Sequence, residues 1–259
     1  MIPKIIHYCW FGGNPLPETA LKCIASWRKY CPDYEIKEWN EDNYNVQSIP
    51  YTAQAYQAKK YAFVSDYARF DILYRYGGVY FDTDVEVLKP IDEIIEKGAF
   101  LGMEHRGTVN AGLGMAASAH NALYAEILDS YKRSDFITSN GRMDLTTIVE
   151  RVSSILKKYG LTKDNAIQTV KDITVYPIDY FNPKDARTGI ITITDHTYTI
   201  HHFDASWTIP LRKKYIKYCK TLIPIIGSTM THIILSPMRI LCIIQEVGFW
   251  GFIKKITGL

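Results

Sequence analysis

Ser65–Glu86, SDYARFDILYRYGGVYFDTDVE, is the stretch whose reading decides the fold. Its first part closes a helical pattern that starts near Ala53 and runs to Tyr76. Gly77-Gly78 then offers a left-handed cap, and VYFDTDVEVL reads as a strand. Side chains alternate along a strand, so Tyr80, Asp82 and Asp84 are expected on one side, with Phe81 and Thr83 on the other. Two carboxylates and a phenol would then face one pocket. Such a pair suits a hard divalent cation, Mn²⁺ or Mg²⁺, that shares its remaining positions with phosphates and water. Asp66 and Arg69 lie three residues apart on one helix face. Alone they would read as a surface ion pair, but their helix leads directly into the carboxylate strand, which favours a shared site.

Working outward, Ile2–Trp10 reads as an apolar strand closed by the turn cluster Phe11-Gly12-Gly13-Asn14-Pro15. Pro17 opens a helix with Leu21, Ile24, Ala25 and Trp27 on one side, and Cys31-Pro32-Asp33 stops it. Tyr34–Trp39 alternates like a strand. This β-α-β start within 40 residues implies a parallel α/β sheet. Downstream, Leu123–Tyr131 and Leu145–Tyr159 follow helical spacing. ITVYP (173–177), GIITIT (189–194) and YTIHHF (198–203) read as late strands, the last two joined by a turn at Asp195–Thr197.

The 259 residues are 47% hydrophobic and 22% charged, which excludes an intrinsically disordered chain. Thirty Lys and Arg against 27 Asp and Glu leave +3, so bulk charge gives no reason to expect a nucleic-acid partner. Five cysteines without a C-x-x-C pair point to neither a disulfide framework nor a thiol-rich zinc site. MIPKIIHYCWFGGNP lacks the pattern of a secretory signal, and a cytoplasmic setting is expected.

Composition shifts after Trp207. Arg212, Lys213, Lys214, Lys217 and Lys220 form a basic stretch. Thr221–Met238 then runs without a formal charge, and a second apolar stretch follows at Ile240–Ile253. Pro224, Gly227 and Pro237 interrupt it, which favours an interfacial helix pair at an anionic membrane surface over a spanning helix of about 20 residues. Two domains are expected: 1–207 carrying the chemistry and a helical tail at 208–259.

Three motifs in order resemble glycosyltransferase family 32, the group that includes yeast initiating mannosyltransferases and many bacterial capsular enzymes; the glucosyltransferase domains of large clostridial toxins carry a related pattern. The motifs are IPKIIHYCWFGG at the start, Asp66-x-x-Arg69 leading to Gly77-Gly78-x-Tyr80-x-Asp82-x-Asp84, and IHHFDASW (200–207). The resemblance implies an α/β GT-A fold with a mixed, mainly parallel central sheet, a nucleotide-diphosphate sugar donor, a saccharide or lipid-linked saccharide acceptor, and retention of anomeric configuration, with a role in surface polysaccharide synthesis. It makes Asp84 a metal ligand, Asp82 a partner of metal and ribose, and His202, rather than His201, the later metal ligand. Tyr80 would line the nucleoside and Trp10 would stack on its base. Asp66 and Arg69 would hold the donor sugar and phosphate, Ser206 and Trp207 would approach the diphosphate, and Asn110 would contact a sugar hydroxyl. Two weaker readings stay open: a D-x-D phosphatase, disfavoured because Val85-Glu86 follows the second Asp, and a non-catalytic carbohydrate- or membrane-binding module.

Overall fold

The computed structural model describes residues 1–186, 188–204 and 209–245. The described residues fall into two compact units, Met1–Pro183 with Thr192–His202, and Lys184–Ile191 with the chain from Phe203 onward.

The first unit begins as expected, with β1 (Ile5–Cys9), α1 (Glu18–Tyr30) and β2 (Glu35–Trp39). Pro17 sits at the N-cap of α1, Glu18 lies in its first turn and Arg28 and Lys29 in its last, each charge complementing the helix dipole. Ala20, Cys23, Ile24 and Trp27 form its buried stripe. The single helix expected from Ala53 to Tyr76 is two, α2 (Pro50–Gln57) and α3 (Tyr61–Tyr76), separated where Lys59 takes φ 55°. α3 ends on Gly77 (φ 67°) and Gly78 (φ 105°). A β-carbon on Gly77 would stand 2.8 Å from the Ala119 nitrogen, and one on Gly78 2.7 Å from the Ile5 oxygen. Only glycine combines that backbone with that approach.

The expected strand VYFDTDVEVL is interrupted. β3 covers Gly78–Tyr80 and β4 covers Val85–Val87, with a turn between them in which the Val85 amide donates to the Asp82 carbonyl at 3.0 Å. After α4 (Asp92–Glu96) comes an antiparallel pair, β5 (Phe100–His105) and β6 (Thr108–Ala117), followed by α5 (Ala122–Lys132) and α6 (Ile148–Lys157). α6 starts at a capping box in which Thr147 and Glu150 satisfy each other's backbone amides. β7 (Gln168–Val170), β8 (Ile173–Tyr176), α7 (Ile178–Phe181) and β9 (Thr199–His201) complete the unit.

Seven strands form one mixed sheet in the order β2-β1-β3-β6-β5-β8-β7, and β4 and β9 form a separate ribbon. β1 runs parallel to both β2 and β3, and β5 parallel to β8; the remaining neighbours are antiparallel. Apolar residues cover both faces. Cys9, Tyr44, Phe70, Tyr124 and Leu156 belong to one cluster, and Ile6, Tyr8, Trp27, Val79 and Phe100 to the other. Successive residues of β1 thus serve opposite faces, as strand alternation requires. GIITIT does not form the expected strand. Ile190 and Ile193 are exposed, Ile191 makes an isolated bridge to Lys184, and β9 takes β4 as its antiparallel partner instead.

In the second unit, α8 (Pro210–Ile234) contains Pro224 and breaks at Gly227, whose φ is 79°. A further helix follows at Ser236–Gln245. Among the described residues no single helix is long and apolar enough to cross a membrane; Leu211–Ile234 and Ser236–Gln245 meet that test only together, bent by 57°.

Candidate active site

Because β2, β1 and β3 are parallel, their carboxyl ends share one edge of the sheet, the edge where open α/β sheets place ligands. Trp10 follows β1, Asn40 and Glu41 follow β2, and Asp82 and Asp84 follow β3. The two aspartates converge through the tight turn after β3, not through strand alternation. α1 anchors that turn from below: the Trp27 indole donates to the Val85 carbonyl at 2.7 Å, and the Ser26 hydroxyl accepts from the Val87 amide at 2.9 Å.

β9 brings in an imidazole. Val85 pairs with His201, so the His201 Nε2 lies 3.1 Å from Asp84 Oδ1. Asp82, Asp84 and His201 each offer one ligand atom, and these atoms all lie within 4.8 Å of one another. The structure places His201, rather than His202, beside the two aspartates. His202, the residue just past the end of β9, is turned to Glu86, with its Nε2 2.9 Å from Glu86 Oε2. Burial opposes charge on His201, but the Asp84 carboxylate outweighs it, and the pKa rises above the ordinary histidine value.

α3 supplies the positive partner. Arg69 is 4% exposed, with Nη2 3.1 Å from Asp66 Oδ1 and Nη1 3.1 Å from Asp82 Oδ1. Its Nη1 makes an ion pair there without the geometry of a hydrogen bond, which leaves a buried donor unsatisfied beside the carboxylates. Burial works against the guanidinium charge, yet Asp82, Tyr80 and Asp66 hold its pKa above the usual value. Burial pushes Asp66 up to about 7 despite the Arg69 charge, with Asp82 adding repulsion. Tyr80 is buried under the Arg69 guanidinium, 4.8 Å from ring centroid to Cζ, and its hydroxyl donates to Asp82 Oδ1 at 3.1 Å. It braces Asp82 from beneath. Burial raises the Cys9 thiol to about 12, which makes it inert at neutral pH.

A sequence reading confined to the acidic block misses the wall opposite. The β5–β6 pairing jumps from Leu101↔Met115 to Gly102↔Asn110, so residues 111–114 bulge out of register. The bulge places Gly112 against the site, with its carbonyl accepting from the Asp82 amide at 3.1 Å. A β-carbon on Gly112 would overlap Asp82 Oδ2 and stand 3.1 Å from Arg69 Nη1. The Asn110 side chain accepts from the Gly112 amide at 2.7 Å, so its carboxamide oxygen shapes the bulge. The available signal was Gly112 and Gly114 within a strand-like run, a mark of a bulge or a close backbone approach.

Trp10 is half-buried. Its indole nitrogen donates to the Asn14 carbonyl at 2.6 Å, and with Gly12, Asn14, Glu38, Glu41 and Tyr56 it lines a cavity of ≈ 480 Å³. The turn after β1 is held by Glu41, which accepts from the Gly12 amide at 2.6 Å. Ser206 and Trp207 lie outside the described residues.

The donor set of two carboxylates and one imidazole, gathered within 4.8 Å, fits a divalent cation. Residues 17–101, which include both aspartates, match the family described as glycosyltransferase sugar-binding region containing DXD motif. The chain is similar to inositol phosphoceramide mannosyltransferase 1 of Schizosaccharomyces pombe, 32% identical over 116 residues that cover 39% of this chain and 33% of that protein. It thus spans about a third of the length of that relative. Similarity to an uncharacterized glycosyltransferase of Acanthamoeba polyphaga mimivirus is 25% over 234 residues, 85% of this chain and 87% of the other. A solved structure, the PaToxG glycosyltransferase, superposes over 61% of this chain and 69% of its own with a TM-score of 0.46 and 19% identity.

Proposed function

We propose that the protein transfers a sugar from a nucleotide-diphosphate donor to a saccharide or lipid-linked saccharide acceptor on a GT-A-type fold. The observation that carries this reading is the meeting of Asp82, Asp84 and His201 at the carboxyl edge of the parallel strands, beside the buried guanidinium of Arg69. A Mn²⁺ or Mg²⁺ ion held there would neutralise the diphosphate as it departs. Carboxylates serve either ion, and the imidazole shifts the balance toward Mn²⁺. To act as a ligand, His201 Nε2 has to give up its proton, so ion binding and acidification compete for the same lone pair. Arg69 offers Nη1 to a phosphate oxygen while its Nη2 bond to Asp66 and its Nε bond to the Ser65 carbonyl fix the plane of the fork. Gly112 leaves room for the Asp82 carboxylate beside Arg69, where any side chain would displace it. The cavity at Trp10 suits the nucleoside, with the indole face as a stacking surface. The names of the fungal relatives support mannose as the transferred sugar and an inositol phosphoceramide-like lipid as acceptor. Retention of configuration rests on the resemblance of the motifs.

A panel of nucleotide sugars incubated with Mn²⁺ or Mg²⁺ tests the reading by release of nucleoside diphosphate. Binding of Mn²⁺, followed by loss of its free electron-spin-resonance signal, gives a readout independent of turnover. Release from at least one donor, abolished by chelator, is expected; undiminished release in excess chelator, or no Mn²⁺ binding, would overturn it.

A further inference from the structure

The second unit segregates its charge and its oil. Along the first part of α8, Tyr215, Cys219 and Ile223 fall on one face and pack with Cys242 into a small core. The Tyr215 hydroxyl, 3.1 Å from His232 Nδ1, ties the two sides of the Gly227 break together. This core leaves much of the apolar surface uncovered. Ile225 is 72% exposed, Ile233 60%, Ile234 53%, Met230 52% and Leu241 53%. At the amino-terminal end of the same helix, Lys213, Lys217 and Lys220 line a recess of ≈ 380 Å³ with Thr221, Phe203 and the carboxylate residue Asp204. No formal charge follows until Arg239.

We propose that this helix pair docks on an anionic lipid leaflet. The lysine-lined recess would sit at the phosphate headgroups, and the exposed isoleucines would lie in the outer acyl region. Charge complementarity selects this occupant. A leaflet presents anionic phosphates and hydrocarbon at adjacent depths, in the order in which α8 presents lysines and then isoleucines. A second copy of the chain would set one lysine cluster near another around a two-fold axis. The break at Gly227 and the 57° bend give the pair the form of a surface-lying element, since neither helix alone is long and apolar enough to cross. The proposal does not rest on the glycosyl-transfer reading.

The test is co-sedimentation of the full chain with vesicles of phosphatidylcholine alone and of phosphatidylcholine mixed with phosphatidylglycerol. Binding to the mixed vesicles at low salt is expected, weakening as salt rises through the screening range. Each Lys→Gln change at Lys213, Lys217 and Lys220 should lower the partition coefficient about fivefold, the equivalent of about 1 kcal/mol per basic residue near the surface. Ile225→Gln with Ile233→Gln should remove the part that survives high salt. Both residues lie outside the small core, so an unchanged melting temperature would show that these variants fold. Millimolar inorganic phosphate separates the sources of the anion: persistence of binding in its presence supports a leaflet, and release makes the recess a free-anion site and overturns the proposal. Failure to pellet with mixed vesicles at low salt also overturns it. So does concentration-dependent dimerisation that Ile233→Gln abolishes, which would assign the apolar surface to a second copy.

Discussion

His7, inside β1, and His201, at the edge where β9 meets the carboxylates, are almost equally buried, at 1% and 8% exposure, yet their proton affinities move in opposite directions. Both hydrogen-bond partners of His7 are neutral. The Trp39 indole, a donor only, points at Nδ1 at 3.0 Å, so Nε2 carries the proton and donates to the Gly77 carbonyl at 3.0 Å. Burial therefore wins, and the pKa falls to about 4, with the Lys37 charge adding to the fall and the Gly77 contact opposing it. Around His201 the same desolvation is outweighed by Asp84. The partner, and not depth, decides which state of a buried imidazole is stable. His7 clamps the Gly77-Gly78 turn; His201 stands ready to exchange its proton for another cation.

The sharpest way to break this contrast is Asp84→Asn. Without the carboxylate, desolvation is opposed only by the more modest pull of Asp82 and Glu104, so the His201 pKa should fall, toward the behaviour of His7, in an NMR pH series. Donor turnover should fall roughly 10²–10³-fold, on the scale for removing one charge-stabilising group from an active site. A His201 pKa left where it was would mean that another group sets it.

A second test uses stability. His7 has a folded pKa near 4 against about 6.5 unfolded, so the unfolded chain binds the proton first as pH falls. Its contribution, about 3 kcal/mol, is complete above pH 6.5 and is lost between about 6.5 and 4. Asp66 works the other way: a folded pKa near 7 against an ordinary 3.8 means that the folded state gains stability as pH falls through the same window. In Asp66→Asn, unfolding by denaturant should show stability dropping steeply on acidification. In His7→Gln the slope should reverse. Identical slopes in the two variants would refute the assignment.

The smallest effect is expected at the wall. In Gly112→Ala the added methyl meets the Asp82 carboxylate, and relief requires a shift of the bulge. Overpacking of this kind costs about 1–3 kcal/mol, and turnover should fall more than ten-fold while the distant His7 environment stays intact. Wild-type activity in this variant would show that the bulge yields freely.

Much of the local fold around this contrast is legible in the sequence. The β-α-β opening, the glycine pair and the helix stripe of α6 are local patterns, and local patterns survive folding because each is decided by residues a few positions apart. The Asp66–Arg69 face and the nearness of Asp82 to Asp84 belong to this class. What was illegible depended on pairing between distant segments. The choice of His201 over His202 is set by the register Val85↔His201, which neither strand encodes alone. The role of Gly112 depends on a register jump between β5 and β6, and the Ala53–Tyr76 helix splits at Lys59 although its apolar period runs on. A strand reading of VYFDTDVE brings Asp82 and Asp84 together by a geometry the structure does not use, because a one-turn reversal and a pleat both bring i and i+2 near each other.

The β4–β9 ribbon also has a consequence in time. β4 and the aspartates that precede it are made early in synthesis, whereas His201 is made only after the whole central sheet, from β5 through β8, has been translated. A nascent chain emerging from the ribosome can assemble β1, β2 and β3 and expose the aspartate turn long before its third ligand exists. Closing so long a loop is slow relative to local structure formation. On the proposed function, the cation-binding set of Asp82, Asp84 and His201 is therefore completed last, as a checkpoint that only a chain translated as far as β9 can pass.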